Sequence, residues 1–300
     1  MIIDQGLKKI IQLALKEDIG PTDITSTSVL HRSKKGNFVL LAKQDCIVCG
    51  LVIAEAVFET VDSNVRFKPL VNDGDRVLGT KAIAYCSGNA RSILTAERTA
   101  LNFLSWLSGI STLTGSFVDE VSSTKAKILD TRKTTPTLRR LEKYAVKIGG
   151  GFNHRVGLYD QVLIKDNHIA SIMAEPSIIK SEEEAIKLAL ESAKQNAGKD
   201  KKIEIEVDSL DVLKVALDYN PDIIMLDNMS IDDIKEAVKI RDAHRISVGD
   251  VGFKVLLEVS GGVNIQIVAS IAQTGVDRIS IGALTHSAPA VDISLEVRKV

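Results

Sequence analysis

Five short apolar runs in this chain each stop abruptly at residues that can do chemistry. Lys127-Ile128-Leu129-Asp130 leads into Thr131-Arg132-Lys133, and Val162-Leu163-Ile164 into Lys165-Asp166. Ile203-Glu204-Ile205 reaches Glu206, and Ile223-Ile224-Met225-Leu226 reaches Asp227. Val255-Leu256-Leu257 continues through Glu258 to Ser260-Gly261-Gly262, and a further strand, Arg278-Ile279-Ser280-Ile281, ends at Gly282. Runs of this length with amphipathic helices between them predict βαβ units and a parallel sheet. In an α/β barrel the carboxyl ends of such strands converge on one face, which carries the active site. The pattern therefore predicts a single mouth holding cations, two carboxylates and a glycine-rich loop.

The helices between the strands announce themselves by their caps. Ser181 with Glu184 forms a capping box before Ile186, Leu190 and Ala193, and Ser230 with Asp233 forms a weaker one before Ile234 and Val238. Leu210, Leu213, Ala216 and Leu217 share one face of the helix between them. Six strands are clear and a seventh is open, so a closed eight-strand ring is not required. No G-x-G-x-x-G joins a strand to a helix, which disfavours a dinucleotide fold.

The preceding third of the chain reads as a small α+β unit. Helical spacing runs from Ile3 to Lys16 and stops at Gly20-Pro21. A strand is expected at 38–42 and a tight turn over 71–77. A long amphipathic helix is expected from about Leu94 to Leu107, ended by Gly109. No apolar run approaches the length of a membrane span, and the first residues lack the basic and apolar stretches of a signal peptide. With three cysteines, an odd count, a cytoplasmic protein is expected. Cys46 and Cys49 match C-x-x-C, but no second Cys/His pair follows at zinc spacing, so reduced cysteines in a strand are the expectation.

Charge narrows the ligand. The chain carries a net charge of −1, yet between Arg132 and His168 eight Lys/Arg face three acids. A concentrated positive field on a near-neutral protein suits a small anion in a focused site. Nucleic acid is disfavoured by an aromatic content of 4%. Arg139, Arg140, Lys143 and Lys147 fit a solvated helix face, whereas Arg132, Lys133 and Lys165 sit at strand ends. Ser260-Gly261-Gly262 and Gly282 are either plain turns or a phosphate cradle in which glycine admits close backbone approach. Glu206 and Asp227 either cap the helices that follow or share a cavity, where they could hold Mg²⁺ or stabilise cationic charge in a transition state. Lys165 suits a Schiff base or simple carboxylate binding, and His154, Arg155 and His168 are candidate anion donors, His168 equally a structural histidine.

Together these stretches resemble the nicotinate-nucleotide pyrophosphorylase family (quinolinate phosphoribosyltransferase, decarboxylating). The resemblance is carried in order by Glu17-Asp18-Ile19-Gly20, Glu97-Arg98-Thr99-Ala100-Leu101-Asn102, Asp130-Thr131-Arg132-Lys133-Thr134-Thr135-Pro136, Asn153-His154-Arg155, Lys165-Asp166-Asn167-His168, Glu204-Ile205-Glu206, Leu226-Asp227-Asn228, Glu258-Val259-Ser260-Gly261-Gly262 and Gly282-Ala283-Leu284. It implies an incomplete, open α/β barrel (110–285) with an N-terminal α/β sandwich domain (1–109 with 286–300). It further implies transfer of phosphoribose from phosphoribosyl pyrophosphate to quinolinate with loss of CO₂, in NAD synthesis.

By the same resemblance Arg98 reaches the site of a partner in a homodimer, and Arg132, His154, Arg155 and Lys165 hold the quinolinate carboxylates. Lys133 stands between the substrates, Glu206 and Asp227 face the ribose, and Ser260, Gly261, Gly262 and Gly282 cradle the 5-phosphate. Mg²⁺ accompanies the pyrophosphate, indirectly near Glu206 and Asp227, and no organic cofactor, nucleic acid or membrane is implied. A related molybdenum-uptake accessory protein and a Lys165 aldolase are the alternatives. The segment from Arg241 to Lys254 is longer than this family's usual connection and reads as a loop extension.

Overall fold

The computed structural model describes residues 2–174, 179, 181–198, 200–249 and 255–298. In chain order its elements are α1 (Gln5–Ile19), α2 (Ile24–Val29), β1 (Lys35–Ala42), β2 (Cys46–Ile47), α3 (Leu51–Val61), β3 (Arg66–Pro69), β4 (Arg76–Val77), β5 (Lys81–Asn89), α4 (Ala90–Val121) and β6 (Lys127–Leu129). There follow α5 (Arg139–Ile148), β7 (Val162–Ile164), α6 (Asp166–Met173), α7 (Glu182–Asn196), β8 (Ile203–Val207), α8 (Leu210–Asp218), β9 (Ile223–Asp227) and α9 (Ile231–Val248). The last are β10 (Leu256–Ser260), α10 (Val268–Gln273), β11 (Arg278–Ser280), α11 (Ala283–His286) and β12 (Ile293–Val297).

These elements fall into two compact units, one of Met1–Gly115, Pro136–Gly150 and Ser287–Val300, the other of Ser116–Thr135 and Gly151–His286. In the first, an antiparallel sheet of order β12-β1-β5-β3 is built from alternating strands. Phe38, Leu40 and Ala42 of β1 are buried at every second position, and β12 pairs along β1 from Ile293 to Val297. Helix α1 is capped by Asp4, whose carboxylate accepts the Leu7 N–H, and buries Leu7, Ile11 and Leu15 at helical spacing. The expected stop at Gly20 holds. The turn over 71–77 pivots on Gly74 at φ +100°, where glycine alone is unstrained. Cys46, Cys49 and Cys86 are free, buried thiols, and burial pushes Cys46 up to about 11. Cys46 sits in β2 as the sequence predicts, whereas Cys49 is buried just beyond that strand.

Gly109 does not end a helix. Helix α4 runs straight through it to Val121. A Cβ at Gly109 would lie 3.0 Å from the Pro289 carbonyl carbon and 3.2 Å from Ala290 Cα, with the Pro289 oxygen closer still. The glycine makes room for a crossing backbone, a role that its position in sequence disguises as a stop signal.

The second unit holds a six-stranded parallel sheet, order β6-β11-β10-β9-β8-β7. Beyond β6 the ladder gains a parallel bridge between Leu129 and Phe152, and among the described residues no pairing joins this edge to β7. The result is a barrel-like sheet that stays open, as expected. Ser181, Ser209 and Ser230 cap α7, α8 and α9, each accepting a backbone N–H in the first turn. Residues 241–248 are not a loop extension; they are the last turns of α9. That stretch was misread because its apolar residues lack a helical stripe. The remainder of the expected loop, 250–254, lies outside the described residues.

Candidate active site

In a strand successive side chains face opposite sides of the sheet, so residues two apart stack in layers on the inner face. Glu206 of β8 is in register with Met225 of β9, and Ser260 of β10 with Asp227. These side chains reach the carboxyl edge, where they line one cavity of about 800 Å³. The same cavity is lined by Arg132, Lys133, His154, Arg155, Lys165, Gly261, Gly262 and Gly282. Arg132, Lys133, Lys165, Glu206, Asp227, Ser260 and the three glycines are thus brought to one mouth, while Asp130 and Asp166 are not among its lining residues. Arg98 is not among the lining residues; it is exposed on α4 in the other unit.

Neither Glu206 nor Asp227 serves as a helix cap, because Ser209 and Ser230 take that role. Glu206 forms an ion pair with Lys165 Nζ. Asp227 accepts a 2.8 Å hydrogen bond from Asn228 Nδ2. Two carboxylates at the rim are hard oxygen donors of the kind Mg²⁺ takes beside substrate phosphates. His168 does structural work: its Nδ1 accepts the Lys165 N–H at 2.9 Å, holding the first turn of α6.

The cationic wall is under electrostatic load. Arg155 is buried, and burial, followed by the charge of Arg132, pushes its pKa down. Arg132 Nε is buried without a hydrogen-bond partner. Two crowded guanidiniums, one with an unused buried donor, form a site that an anion would relieve. The Arg155 guanidinium donates to the Gln161 carbonyl at 3.2 Å, and the backbone N–H of His154 donates to Asp130 at 2.9 Å. Lys133 is exposed, while its backbone is pinned: its N–H donates to Thr131 Oγ1 at 3.0 Å and its carbonyl accepts from Thr285 Oγ1 at 2.7 Å.

The glycines earn their positions differently. Gly261 has φ +92°, and a Cβ there would lie 2.6 Å from Asn228 Cγ. Gly262 has φ +62° with open space around it. At Gly282 a Cβ would sit 3.0 Å from Lys133 Cδ. The loop therefore presents bare backbone next to Asn228 and Lys133.

Several lining residues escaped sequence reasoning: Thr131, Met225, Asn228, Ser280 and His286. So did a layer beneath the mouth. Glu204 lies two residues below Glu206, Glu258 two below Ser260, and Arg278 two below Ser280. Glu258 is in register with Arg278 and bonded to it through Arg278 Nε. Burial, reinforced by the nearby Glu204 charge, pushes the Glu258 pKa up. The period-two repeat of polar residues inside apolar strands was the signal that could have found this layer.

Comparison with known proteins agrees with this architecture. Residues 23–108 match the N-terminal domain of quinolinate phosphoribosyl transferase, and residues 110–296 its C-terminal domain. The chain is 43% identical over 299 residues to a probable nicotinate-nucleotide pyrophosphorylase [carboxylating] of Methanocaldococcus jannaschii, covering 99% of both chains. The solved nicotinate-nucleotide pyrophosphorylase of Francisella tularensis superposes with a TM-score of 0.86 at 39% identity, covering 99% of this chain and 98% of that one. The Ehrlichia chaffeensis protein of the same name superposes with a TM-score of 0.86 at 43% identity, over 99% of this chain and 100% of that one. With both domain models matched end to end, this chain belongs to the quinolinate phosphoribosyltransferase family.

Proposed function

We propose that this protein transfers phosphoribose from phosphoribosyl pyrophosphate to quinolinate, releasing pyrophosphate and CO₂ and forming nicotinate mononucleotide in NAD synthesis. One observation carries the reading: a single cavity combines Arg132, His154, Arg155 and Lys165 with Lys133, two rim carboxylates and a bare glycine loop. A dicarboxylate and a phosphorylated sugar need both halves of that set. Planar guanidiniums match carboxylate geometry. Arg132 and Arg155 hold the substrate carboxylates, and Lys165 leaves Glu206 to join them. Ser260, Gly261, Gly262 and Gly282 receive the 5-phosphate through backbone N–H groups. Lys133 lies between the two substrates.

As the bond to pyrophosphate lengthens, positive charge grows on the ribose ring. Glu206 and Asp227 face that charge, and one such preorganised partner contributes about 3 kcal/mol, a hundredfold or more in rate. The pyridine nitrogen then bonds to the anomeric carbon and becomes cationic. When the adjacent carboxylate departs as CO₂, the electron pair of the broken bond stays on the ring carbon beside that nitrogen, and the carbon takes a proton. Mg²⁺, held through Glu206 and Asp227 together with phosphate oxygens, would neutralise charge on the departing pyrophosphate. The chain acts in the cytoplasm as a homodimer, each copy lending Arg98 to the other's mouth.

A Schiff-base lysine must attack as the neutral amine, so an ion pair between Lys165 Nζ and Glu206 disfavours the aldolase alternative. The test is to incubate the protein with quinolinate, phosphoribosyl pyrophosphate and Mg²⁺ and to measure nicotinate mononucleotide and CO₂. Equal turnover of nicotinic acid would overturn the decarboxylating reading, and borohydride trapping of Lys165 on a carbonyl substrate would favour the aldolase.

A further inference from the structure

The layer beneath the mouth is not used by the chemistry above, yet it carries the most costly groups in the second unit. Glu204 and Glu258 are each 0% exposed. Oε1 of each accepts no hydrogen bond. Apolar residues of similar volume would stabilise such a core at least as well, so the retained charge points to a task.

Two arms run from Glu204 to Arg155. In the first, Glu204 Oε2 lies 3.1 Å from His154 Nε2, a close contact without hydrogen-bond geometry, and His154 Nδ1 accepts the backbone N–H of Arg155 at 2.7 Å. In the second, Glu204 Oε2 accepts from the Gln161 side-chain amide, and the Gln161 carbonyl accepts from the Arg155 guanidinium. Glu258 Oε1 approaches His154 Nε2 from another side at 3.4 Å and is itself tied to Arg278. Both ring nitrogens of His154 therefore face protein groups. Gln161 and Arg278 each occupy only Oε2 of one carboxylate; a bound cation would use the two Oε1 atoms with His154, and metal analysis of the purified protein decides between the two readings.

We propose that Glu204 is a positioning residue for dicarboxylate recognition, fixing both ends of Arg155 through His154 and Gln161 while Glu258 and Arg278 lock the histidine ring. Arg155 needs such a hold because Arg132 repels it and burial disfavours its charge. A guanidinium held in place before the substrate arrives loses less freedom on binding. The kinetic consequence rests on the quinolinate reading; the geometric one stands in the unliganded protein.

The test uses the isosteric Glu204→Gln. In steady-state assays the quinolinate KM rises about tenfold, while kcat and the phosphoribosyl pyrophosphate KM change by less than about threefold. In the unliganded protein the Arg155 amide exchanges with solvent about tenfold faster. Gln161→Met cuts one arm, gives a smaller rise in quinolinate KM, and adds nothing to Glu204→Gln in the double variant. It carries the test if Glu204→Gln does not fold. Unchanged quinolinate KM with unchanged Arg155 exchange, equal losses in all kinetic constants, additive effects of the two substitutions, or a stoichiometric metal in the purified protein would each overturn the proposal. If wild-type protein forms no nicotinate mononucleotide, the functional reading fails, and the exchange measurement still decides the positioning role.

Discussion

Replacing Gly261 by alanine separates two physical effects that its neighbour Gly262 allows to be measured apart. At Gly262 the φ of +62° is left-handed and a Cβ meets nothing within 4 Å. Gly262→Ala should therefore cost only backbone strain, about 1–2 kcal/mol. At Gly261 the φ is +92° and the new Cβ would fall 2.6 Å from Asn228 Cγ and 3.0 Å from the Asn228 backbone nitrogen. Overpacking of that kind adds about 1–3 kcal/mol to the strain, or about 3 kcal/mol in total if nothing moves. If Asn228 gives way instead, part of the stability cost vanishes and reappears in function. Asn228 would then withdraw the Nδ2 hydrogen bond that holds Asp227. Loss of an oriented carboxylate at the developing ribose charge lowers kcat by about tenfold or more. Urea denaturation and steady-state kinetics on both variants give the answer. Equal loss of stability and equal kinetics in the two variants would refute the argument, since the Asn228 contact is what distinguishes them.

Three further outcomes follow from features elsewhere. Gly109→Ala should lower stability by about 2 kcal/mol despite alanine's better helix propensity, because Pro289 and Ala290 leave no space for a methyl; the exposed Gly6→Ala in α1 should be neutral or stabilising, and a stabilised Gly109→Ala would contradict the close approach. Asp277 is raised by burial but lowered more by Lys125, the Leu257 N–H and Arg241, for a net downward shift, so its stabilisation is present above the unfolded carboxylate pKa and is lost as pH falls through its folded value. Asp277→Asn should cost about 2 kcal/mol at pH 7, with the gap closing in strong acid; a gap that persists at pH 2, about two units below the ordinary value, would show the ion pairs to be unimportant. Inactive Arg98→Ala and Lys133→Ala chains, once mixed and allowed to exchange subunits, should recover partial activity, and no recovery would count against an arginine supplied in trans.

The strand ends were readable because a buried parallel strand has to be apolar along its length and polar where it emerges, which fixes both fold and mouth at once. Lys165, Glu206, Asp227 and Ser260 all obey that logic. Gly109 did not, because the reason for its glycine lies about 180 residues away, at Pro289, and only folding brings the two together. Residues 241–248 were missed because α9 extends past its amphipathic part, where no stripe signals a helix. Glu204 and Glu258 carry no role in the sequence reading, although the two-residue spacing Glu204/Glu206 and Glu258/Ser260 places each on the same face as a residue of the mouth. His168, for which the sequence left a chemical and a structural reading open, holds a helix turn.

The unpaired side of the sheet has a consequence for how recognition can be tuned. Where a closing strand would offer a rigid hydrogen-bond ladder at about 4.8 Å spacing, carboxylates take the amides instead: Asp130 receives His154 N–H, and Asp160 receives those of Val156 and Gly157. The segment bearing His154 and Arg155 leaves the ladder after Phe152 and is held from there by side chains, so single substitutions can alter the grip on a ligand without redrawing the barrel.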